Sequence, residues 1–244
     1  MPDNRVILIP TYNEADNVRS LYNQIKSLSL DASLLFVDDN SPDGTGKILD
    51  EIAQSDPNVE VLHRSGKLGI GSAHASGIQT AYARGFSVLI TMDCDFTHSP
   101  DYIQQFLDHA DVYDVVIGSR YMREDSLKTW NLFRKFLTHL GHFLTVSFLD
   151  MSYDASGAFR LYRIDRIPEG VFRLVTSTGY SFFFESLLIL HLNGFTVKEV
   201  PIELPSRTYG ESKMRISDII TSLRYLYRMW RNKTFEKHKL IYKP

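Results

Sequence analysis

The chain has 244 residues, a length that fits one large domain or two small ones at about 100–200 residues each. Apolar residues make up 43% and charged residues 23%, ordinary globular usage that excludes a disordered, collagen-like or coiled-coil chain. With 27 basic residues against 29 acidic the net charge is −2, which excludes a general nucleic-acid binder by bulk charge, and the single cysteine, Cys94, excludes an internal disulfide and a cysteine zinc cluster.

One cysteine fits a reducing compartment. No signal peptide is expected, because the apolar run before Pro10 is short and Asp3 flanks it. The best apolar runs, Phe143–Leu149 and Leu187–Leu192, fall far short of the ~20 residues that a spanning helix needs. Charge is unevenly spread. Residues 224–244 hold Arg224, Arg228, Arg231, Lys233, Lys237, Lys239 and Lys243 against Glu236, a local +6, so residues 1–223 sum to −8. A basic tail on an acidic body points to an anionic surface as partner.

In chain order, Arg5–Pro10 reads as a buried parallel strand. Asn13 is expected to cap a helix carrying Val18, Leu21, Tyr22, Ile25 and Leu28 at helical spacing. Leu34–Val37 is a second buried strand, and Ser41-Pro42 reads as the start of the next helix. Val59–Leu62 is a third strand. A helix over Ser72–Arg84 closes at Gly85, and Ser87–Met92 is the fourth strand. Ser99-Pro100-Asp101 opens another capped helix, and Val112–Ser119 is the fifth strand. The alternation specifies a parallel sheet with helices on both faces. Leu127–Met151 then reads as one long helix, Ala158–Tyr162 as a strand, and Gly179–Asn193 as a buried helix stopped by Gly194. Phe195–Ile202 is a last strand, placed at a sheet edge by Pro201. A polar loop, Pro205–Ser212, leads into a final helix. No repeat or linker interrupts the chain, so one continuous domain is expected, with residues 1–214 as its body and 215–244 as a basic amphipathic helix and tail within it.

Ligands of open parallel sheets bind beyond the carboxyl ends of the strands. Polar residues gather at those ends: Pro10-Thr11-Tyr12-Asn13-Glu14, Asp38-Asp39-Asn40-Ser41, Met92-Asp93-Cys94-Asp95 and Gly118-Ser119-Arg120-Tyr121. Each alone is an ordinary turn; four on one edge form a site. Asp93 and Asp95, two residues apart, can share a cation and repel each other without one. Oxygen ligands suit Mg²⁺ or Mn²⁺, which often bridge to substrate phosphates. Asp-x-Asp is also common without a metal. His98 is a helper ligand, a partner of the acidic turn, or a loop residue. Lys67–Ala73 is a glycine-rich helix entry of the kind that lets backbone amides approach an anion. Its place in mid-chain, and His74 where a third glycine would stand, argue against a nicotinamide enzyme.

The motifs PTYNE at 10–14, VDDNSPDGT at 37–45, KLGIGSA at 67–73, MDCDFTHSP at 92–100, VIGSRY at 116–121, DASGAFRLYR at 154–163, VPIEL at 200–204 and RTYGESKM at 207–214 occur in that order. The ensemble resembles the inverting nucleotide-sugar glycosyltransferases of the GT-A fold. Within them it is most similar to the polyprenol-phosphate (dolichol-phosphate) mannosyltransferases, over residues 5 to 214. The resemblance implies an α/β, Rossmann-like fold with a mostly parallel central sheet flanked by helices. It implies that Pro10, Tyr12, Glu14, Val37 and Asp39 line the nucleotide pocket. Asp93, Cys94, Asp95 and Thr97 then hold metal and diphosphate, and Arg120, Arg134, Arg207 and Lys213 hold donor and acceptor phosphates. The implied reaction moves a sugar, mannose from GDP-mannose in the family's usual case, onto a polyprenyl phosphate, with Mg²⁺ or Mn²⁺ as cofactor. The implied setting is peripheral, on the cytoplasmic face of a membrane, with a membrane partner subunit as a further partner and no nucleic acid.

Positive charge is what such a reaction needs, since two anions must meet at one carbon; Arg offers bidentate phosphate geometry and Lys a point charge. Departures from the pattern follow Arg134, where Thr138, His139 and His142 replace the family's Ser, Arg and Asn. Glu185 matches a family acid and also reads as a buried structural group. The final helix places Ile216, Ile219, Ile220, Leu223, Leu226, Tyr227 and Trp230 on one side among arginines, which suits either a lipid interface or packing on the sheet. Residues 127–149 are a second lipid-facing candidate. The alternatives are the same fold with a UDP-sugar or a soluble acceptor, and a non-catalytic partner subunit.

Overall fold

The computed structural model describes residues 4–128, 130, 132–205 and 216–243, with the side chains of Phe133, Arg134 and Ile216 outside that description. The elements in order are β1 (Arg5–Thr11), α1 (Ala15–Ser27), β2 (Ser33–Asp38), α2 (Thr45–Ser55), β3 (Val59–His63), α3 (Ile70–Ala83) and β4 (Val88–Thr91). A tight helical turn at Pro100–Tyr102 runs into α4 (Ile103–Leu107). Then follow β5 (Val115–Ser119), α5 (Leu132–Leu149), β6 (Arg160–Arg163), α6 (Glu169–Phe172), α7 (Ser181–Leu192), β7 (Val197–Pro201) and α8 (Ile216–Phe235).

Seven strands form one sheet in the order β3-β2-β1-β4-β6-β5-β7. The pairs β1–β2, β1–β4, β2–β3 and β5–β7 are parallel, while β6 is antiparallel to both β4 and β5. Every strand but β6 therefore ends on the same edge. Alternation of side chains along the buried strands feeds two cores. Val6, Leu8, Leu35, Val37, Leu89 and Ile117 face α3, α7 and α8. Ile7, Ile9, Leu34, Phe36, Ile90 and Val116 face α1, α2 and α4. At roughly 2 kcal/mol for each fully buried aliphatic side chain, this double burial is what holds the sheet between its two layers of helices.

Several element starts differ from the sequence reading, and the reason is tertiary. Asn13 does not cap α1; it sits at φ 54, and the helix begins at Ala15. The orphan amides of that end are taken from across the chain: Asn13 N donates to Ser41 Oγ (3.0 Å), Glu14 N to Thr45 Oγ1 (2.9 Å) and Ala15 N to Asp43 Oδ2 (3.0 Å). The same loop delays α2 to Thr45 instead of Pro42, because Asp43 Oδ1 accepts from Thr45 N and Oγ1. Ser99 does cap its turn, accepting from Asp101 N. The long helix starts at Leu132, not Leu127, since Leu127 and Trp130 turn inward to the core under α4. β7 is at the sheet edge, as Pro201 required. α7 is buried on nearly all sides, as its composition required.

The glycines of Lys67–Ala73 serve close packing. Gly69 stands at φ +102, and a Cβ there would lie 2.5 Å from the Thr178 carbonyl oxygen; one on Gly71 would lie 2.6 Å from that of Gly179. Ser72 N already donates to Thr178 O and Ala73 N to Gly69 O. Two amides of this stretch are therefore already used within the protein.

His74, on α3, is buried against Phe182 and Phe183, with ring centroids 5.6 and 5.1 Å away. Burial pushes its imidazole down from 6.5 to about 3, with Arg160 and His98 adding to the effect. The unfolded chain takes up a proton near pH 6.5 that the folded protein refuses until far lower. Stability is therefore complete above that value and is lost as the pH falls. Acidification to about pH 4 should cost about 3 kcal/mol at this residue alone. His74→Leu should remove most of that acid dependence, measured as urea unfolding free energy across pH.

Candidate active site

The reversal of β6 builds the site. Arg160, its first residue, pairs with Thr91 at the end of β4 and lies opposite Ile117 near the end of β5. The turn before it, residues 154–157, is thereby carried to the edge where the other strands end.

On one half of that edge β1 and β2 finish side by side, Pro10 level with Val37 and Thr11 with Asp38. Pro10 and Val37 are buried, and Tyr12 is half-buried with the Lys67 ammonium 4.3 Å from its ring centroid. Glu14 accepts from Asn17 Nδ2 at 2.6 Å. Asp38 is tied to Thr11 and Ser41 hydroxyls, which fixes the loop after β2. Asp39 is buried and accepts from Leu68 N at 3.2 Å. Arg64 Nη1 lies 3.2 Å from Asp39 Oδ1, yet both are buried without a hydrogen-bond partner, so the ion pair is close but misaligned. Burial pushes the Asp39 carboxyl above its ordinary value against the pull of Arg64 and the Leu68 amide, and neighbouring Asp38 adds to the rise. Two orphaned polar atoms facing each other at a strand end are what a ligand with its own donors and acceptors would complete.

On the other half lies the acidic turn after β4. Phe96 takes φ 61, which folds the chain so that Thr97 N and Oγ1 both donate to Asp95 Oδ1, at 3.2 and 2.6 Å. His98 Nδ1 accepts from Asp93 N at 2.9 Å while its ring stacks on Phe159. A nitrogen that accepts an N–H carries no proton, so the 3.7 Å approach of His98 to the Asp93 carboxylate is not an ion pair. His98 thus sets the turn. Asp95 is buried and the Asp93 side chain is one-third exposed. The Cys94 thiol is buried in the core beside Met92, which leaves only its backbone to meet a ligand. Among the described residues no group of three His, Cys, Asp or Glu gathers as a closed metal cage. Two carboxylates on one turn are hard oxygen donors that fit a divalent cation completed by ligand phosphates.

Arg120 stands next to this turn. Its Nε donates to Asp154 Oδ2 at 2.7 Å and its backbone N at 3.1 Å, and Asp154 is wholly buried. Burial alone would lower the Arg120 pKa; Asp154 outweighs it, with Tyr121 and Asp93 adding, so the guanidinium is held charged beside the acidic turn. Tyr121 reaches α5: its hydroxyl donates to Thr138 O at 3.1 Å and its ring stacks on His142 at 4.0 Å. Glu185 accepts from Ser177 N and Thr176 Oγ1, and Arg228 stands 3.6 Å away, so it is a buried structural acid.

The structure therefore brings together Pro10, Tyr12, Glu14, Val37 and Asp39 on one half, and Asp93, Cys94, Asp95, Thr97 and Arg120 on the other. Arg207, Lys213 and the Arg134 side chain lie outside the described residues. Sequence reasoning left out Asp154 and Arg64, and of the three roles open to His98 the structure shows that of a partner of the acidic turn. Asp154 opens the DASGAFRLYR motif just before a strand, which was the available signal; Arg64 had none beyond following β3.

Similarity to known proteins agrees with this geometry. The model of glycosyl transferase family 2 matches residues 6–174. Polyprenol monophosphomannose synthase of Mycolicibacterium smegmatis is 36% identical over 217 residues, spanning 88% of this chain and 82% of that protein. Undecaprenyl-phosphate mannosyltransferase of Micrococcus luteus is 34% identical over 208 residues, 85% of this chain and 86% of that one. Among solved structures, a mannosyltransferase from Pyrobaculum calidifontis in complex with GDP-Man and Mn²⁺ aligns with TM-score 0.52 and 18% identity over 86% of this chain and 61% of that one. S. aureus TarS 1-349 with UDP-GlcNAc aligns with TM-score 0.59 and 15% identity over 97% of this chain and 69% of that one. These structural likenesses establish the GT-A fold.

Breaking the buried Arg120–Asp154 pair leaves a charge without its partner. Asp154→Asn should cost about 3 kcal/mol in urea unfolding, whereas Arg123→Ala, which loses only exposed pairs with Asp125 and Glu203, should change stability by less than about 1 kcal/mol.

Proposed function

This chain belongs to glycosyl transferase family 2, and we propose that it transfers mannose from GDP-mannose to a polyprenyl phosphate, with inversion at the anomeric carbon. The observation that carries this reading is Arg120, held charged by Asp154 on the same sheet edge as the incompletely hydrogen-bonded Asp39–Arg64 pair. One half of the edge suits a nucleoside and the other suits phosphates. Relatives over 34% to 36% identity that act on polyprenyl phosphates supply the acceptor class.

In this mechanism Tyr12, Asp39 and Arg64 hold the nucleoside, with Glu14 bracing the loop. Asp93 and Asp95 would hold Mg²⁺ or Mn²⁺, with Thr97 orienting Asp95 through its 2.6 Å hydrogen bond. The cation, when bound, stabilises the departing diphosphate as a Lewis acid. Arg120, with Arg134, Arg207 and Lys213, neutralises the donor and acceptor phosphates. A phosphate monoester is already ionised at neutral pH, its second pKa being about 6, so its oxygen attacks without a strong general base. The new bond joins that oxygen to the anomeric carbon as the bond to the nucleoside diphosphate breaks on the opposite face.

A donor panel tests this. Full-length protein, Mn²⁺ or Mg²⁺ and a short polyprenyl phosphate are mixed with GDP-mannose, UDP-glucose or UDP-GlcNAc, and lipid-linked sugar is counted. Transfer from GDP-mannose is expected; transfer from a UDP-sugar alone would replace the donor, and none from any donor would overturn the reading. Asp95→Ala should lower turnover about a hundredfold or more. Thr97→Val should raise the Mn²⁺ concentration needed for half activity about tenfold.

The acceptor is a lipid, and none of the described helices is long and apolar enough to cross a membrane. We propose that α5 and α8 rest on an anionic bilayer surface. They pack together, and on α8 Leu226 and Met229 are buried while Leu223 and Tyr227 are exposed. Beside them α5 exposes Leu132, Phe136 (62%) and Phe143 (63%). Aromatic and aliphatic groups flanked by Arg224 and Arg231 suit an interfacial position. Phe136→Ser with Phe143→Ser should reduce co-sedimentation with anionic vesicles and leave transfer to a water-soluble short-chain acceptor within about twofold.

A further inference from the structure

Arg160 is wholly buried, and among the described residues no carboxylate lies within ion-pair distance of it. A buried charge without a counter-ion is expensive unless dipoles replace the water it lost. Here the dipoles are specific. Nε donates to Gly157 O at 2.8 Å and Nη2 to Ala155 O at 2.9 Å. Nη1 lies 3.3 Å from both Tyr162 Oη and Ser186 Oγ, and the guanidinium sits 5.6 Å from the Phe183 ring centroid.

Both carbonyls belong to the turn that carries Asp154. That turn touches Arg120 from a second side: a Cβ on Gly157 would lie 3.3 Å from Gly118 O and 3.5 Å from Arg120 Nη2. Its far end is pinned by Thr91 Oγ1, which donates to Ala158 O at 2.6 Å. Arg160 is thus joined to Arg120 by one short piece of backbone. A lysine would keep the charge but not the planar fork that grips two carbonyls at once.

We propose that Arg160 is a positioning residue for the transfer reaction, fixing the 155–157 turn so that Asp154 aims Arg120 at the phosphates. The proposal rests on the phosphate-binding role given to Arg120 above. It separates Arg160 from an ordinary core residue, which would support the fold and leave catalysis otherwise alone.

The test is a double-mutant cycle in the full-length enzyme with GDP-mannose and a short polyprenyl phosphate. Arg160→Lys should lower kcat/KM about tenfold or more while the Kd for guanosine, which lacks the phosphates and reads only the β1–β2 half, stays within about twofold. In an Arg120→Lys background, where the grip of Asp154 is already lost, Arg160→Lys should change kcat/KM by less than about twofold. Equal losses in both backgrounds, or no loss in either, would overturn the proposal. If Arg160→Lys does not fold, Gly157→Ala decides, since its methyl, 3.3 Å from Gly118 O, strains the same turn with Arg160 intact and should show the same non-additivity. Hydrogen exchange gives a readout without turnover. Amides of 155–158 should exchange faster in Arg160→Lys and those of β2 should not; unchanged exchange at the turn overturns the proposal. A wild-type protein that transfers no sugar would instead count against the proposed reaction, and the exchange result would still judge Arg160.

Discussion

β6 runs against every other strand of the sheet, and the site depends on that reversal. A fully parallel sheet would place the start of each strand, and the turn before it, on the edge away from the ligand. Inserting one antiparallel strand between β4 and β5 brings residues 154–157 to the working edge. Asp154 can then meet Arg120, which leaves β5 in the opposite sense. β5 and β7 pair in parallel at the far side, so the chain leaves Pro201 on that same edge.

Three buried guanidiniums on that edge are stabilised in three ways. Arg64 donates from Nη2 to Ser72 Oγ at 2.6 Å, while its Nη1 faces Asp39 Oδ1 at 3.2 Å without a closed hydrogen bond. Arg120 has a short, charge-assisted bond to a wholly buried carboxylate, the geometry in which an ion pair can offset its desolvation. Arg160 has carbonyl and hydroxyl dipoles and the Phe183 ring, with no carboxylate among the described residues. The ordering is chemically sensible. The incomplete pair sits where a nucleoside would supply the missing partners. The complete pair sits where the cation must stay charged next to Asp93. The cation without a carboxylate sits behind both, where a negative partner would have weakened the positive field of the phosphate side.

How much of this was legible in the sequence follows from which interactions are local. Buried parallel strands are continuous apolar runs, so β1, β2 and β4 could be read within a residue or two. The Asp93–His98 turn was legible because its polar groups lie within six positions. The helix start failed at Asn13 because its caps come from a loop almost thirty residues away, and at Pro42 because Asp43, which serves that remote end, also holds Thr45 at the start of α2. The glycines of Lys67–Ala73 suggested a phosphate loop, but their reason, the close approach of Thr178 and Gly179, lies a hundred residues on. The direction of β6 was invisible, since a short apolar strand reads the same either way. Asp154 and Arg64 were missed for the same cause: their partners are remote in sequence and adjacent only once the sheet is ordered.

The same logic bears on how a lipid substrate would reach a site made of loops. α5 exposes its apolar side chains on one face, and on another it accepts a hydrogen bond from Tyr121 and stacks His142 on that ring. Tyr121 is the neighbour of Arg120 in the chain. The bilayer contact proposed for α5 would therefore lie two residues from Arg120, the cation proposed to bind phosphate. His142 stands where the family carries Asn, so this chain replaces a hydrogen-bonding amide by a ring that stacks. Burial pushes the His142 imidazole below its ordinary value, against the attraction of Asp154 and Glu199, which favours the neutral ring beside the charged Arg120. A neutral aromatic pair couples α5 to the site by shape and adds no charge to a centre whose positive field has to be kept for two phosphates.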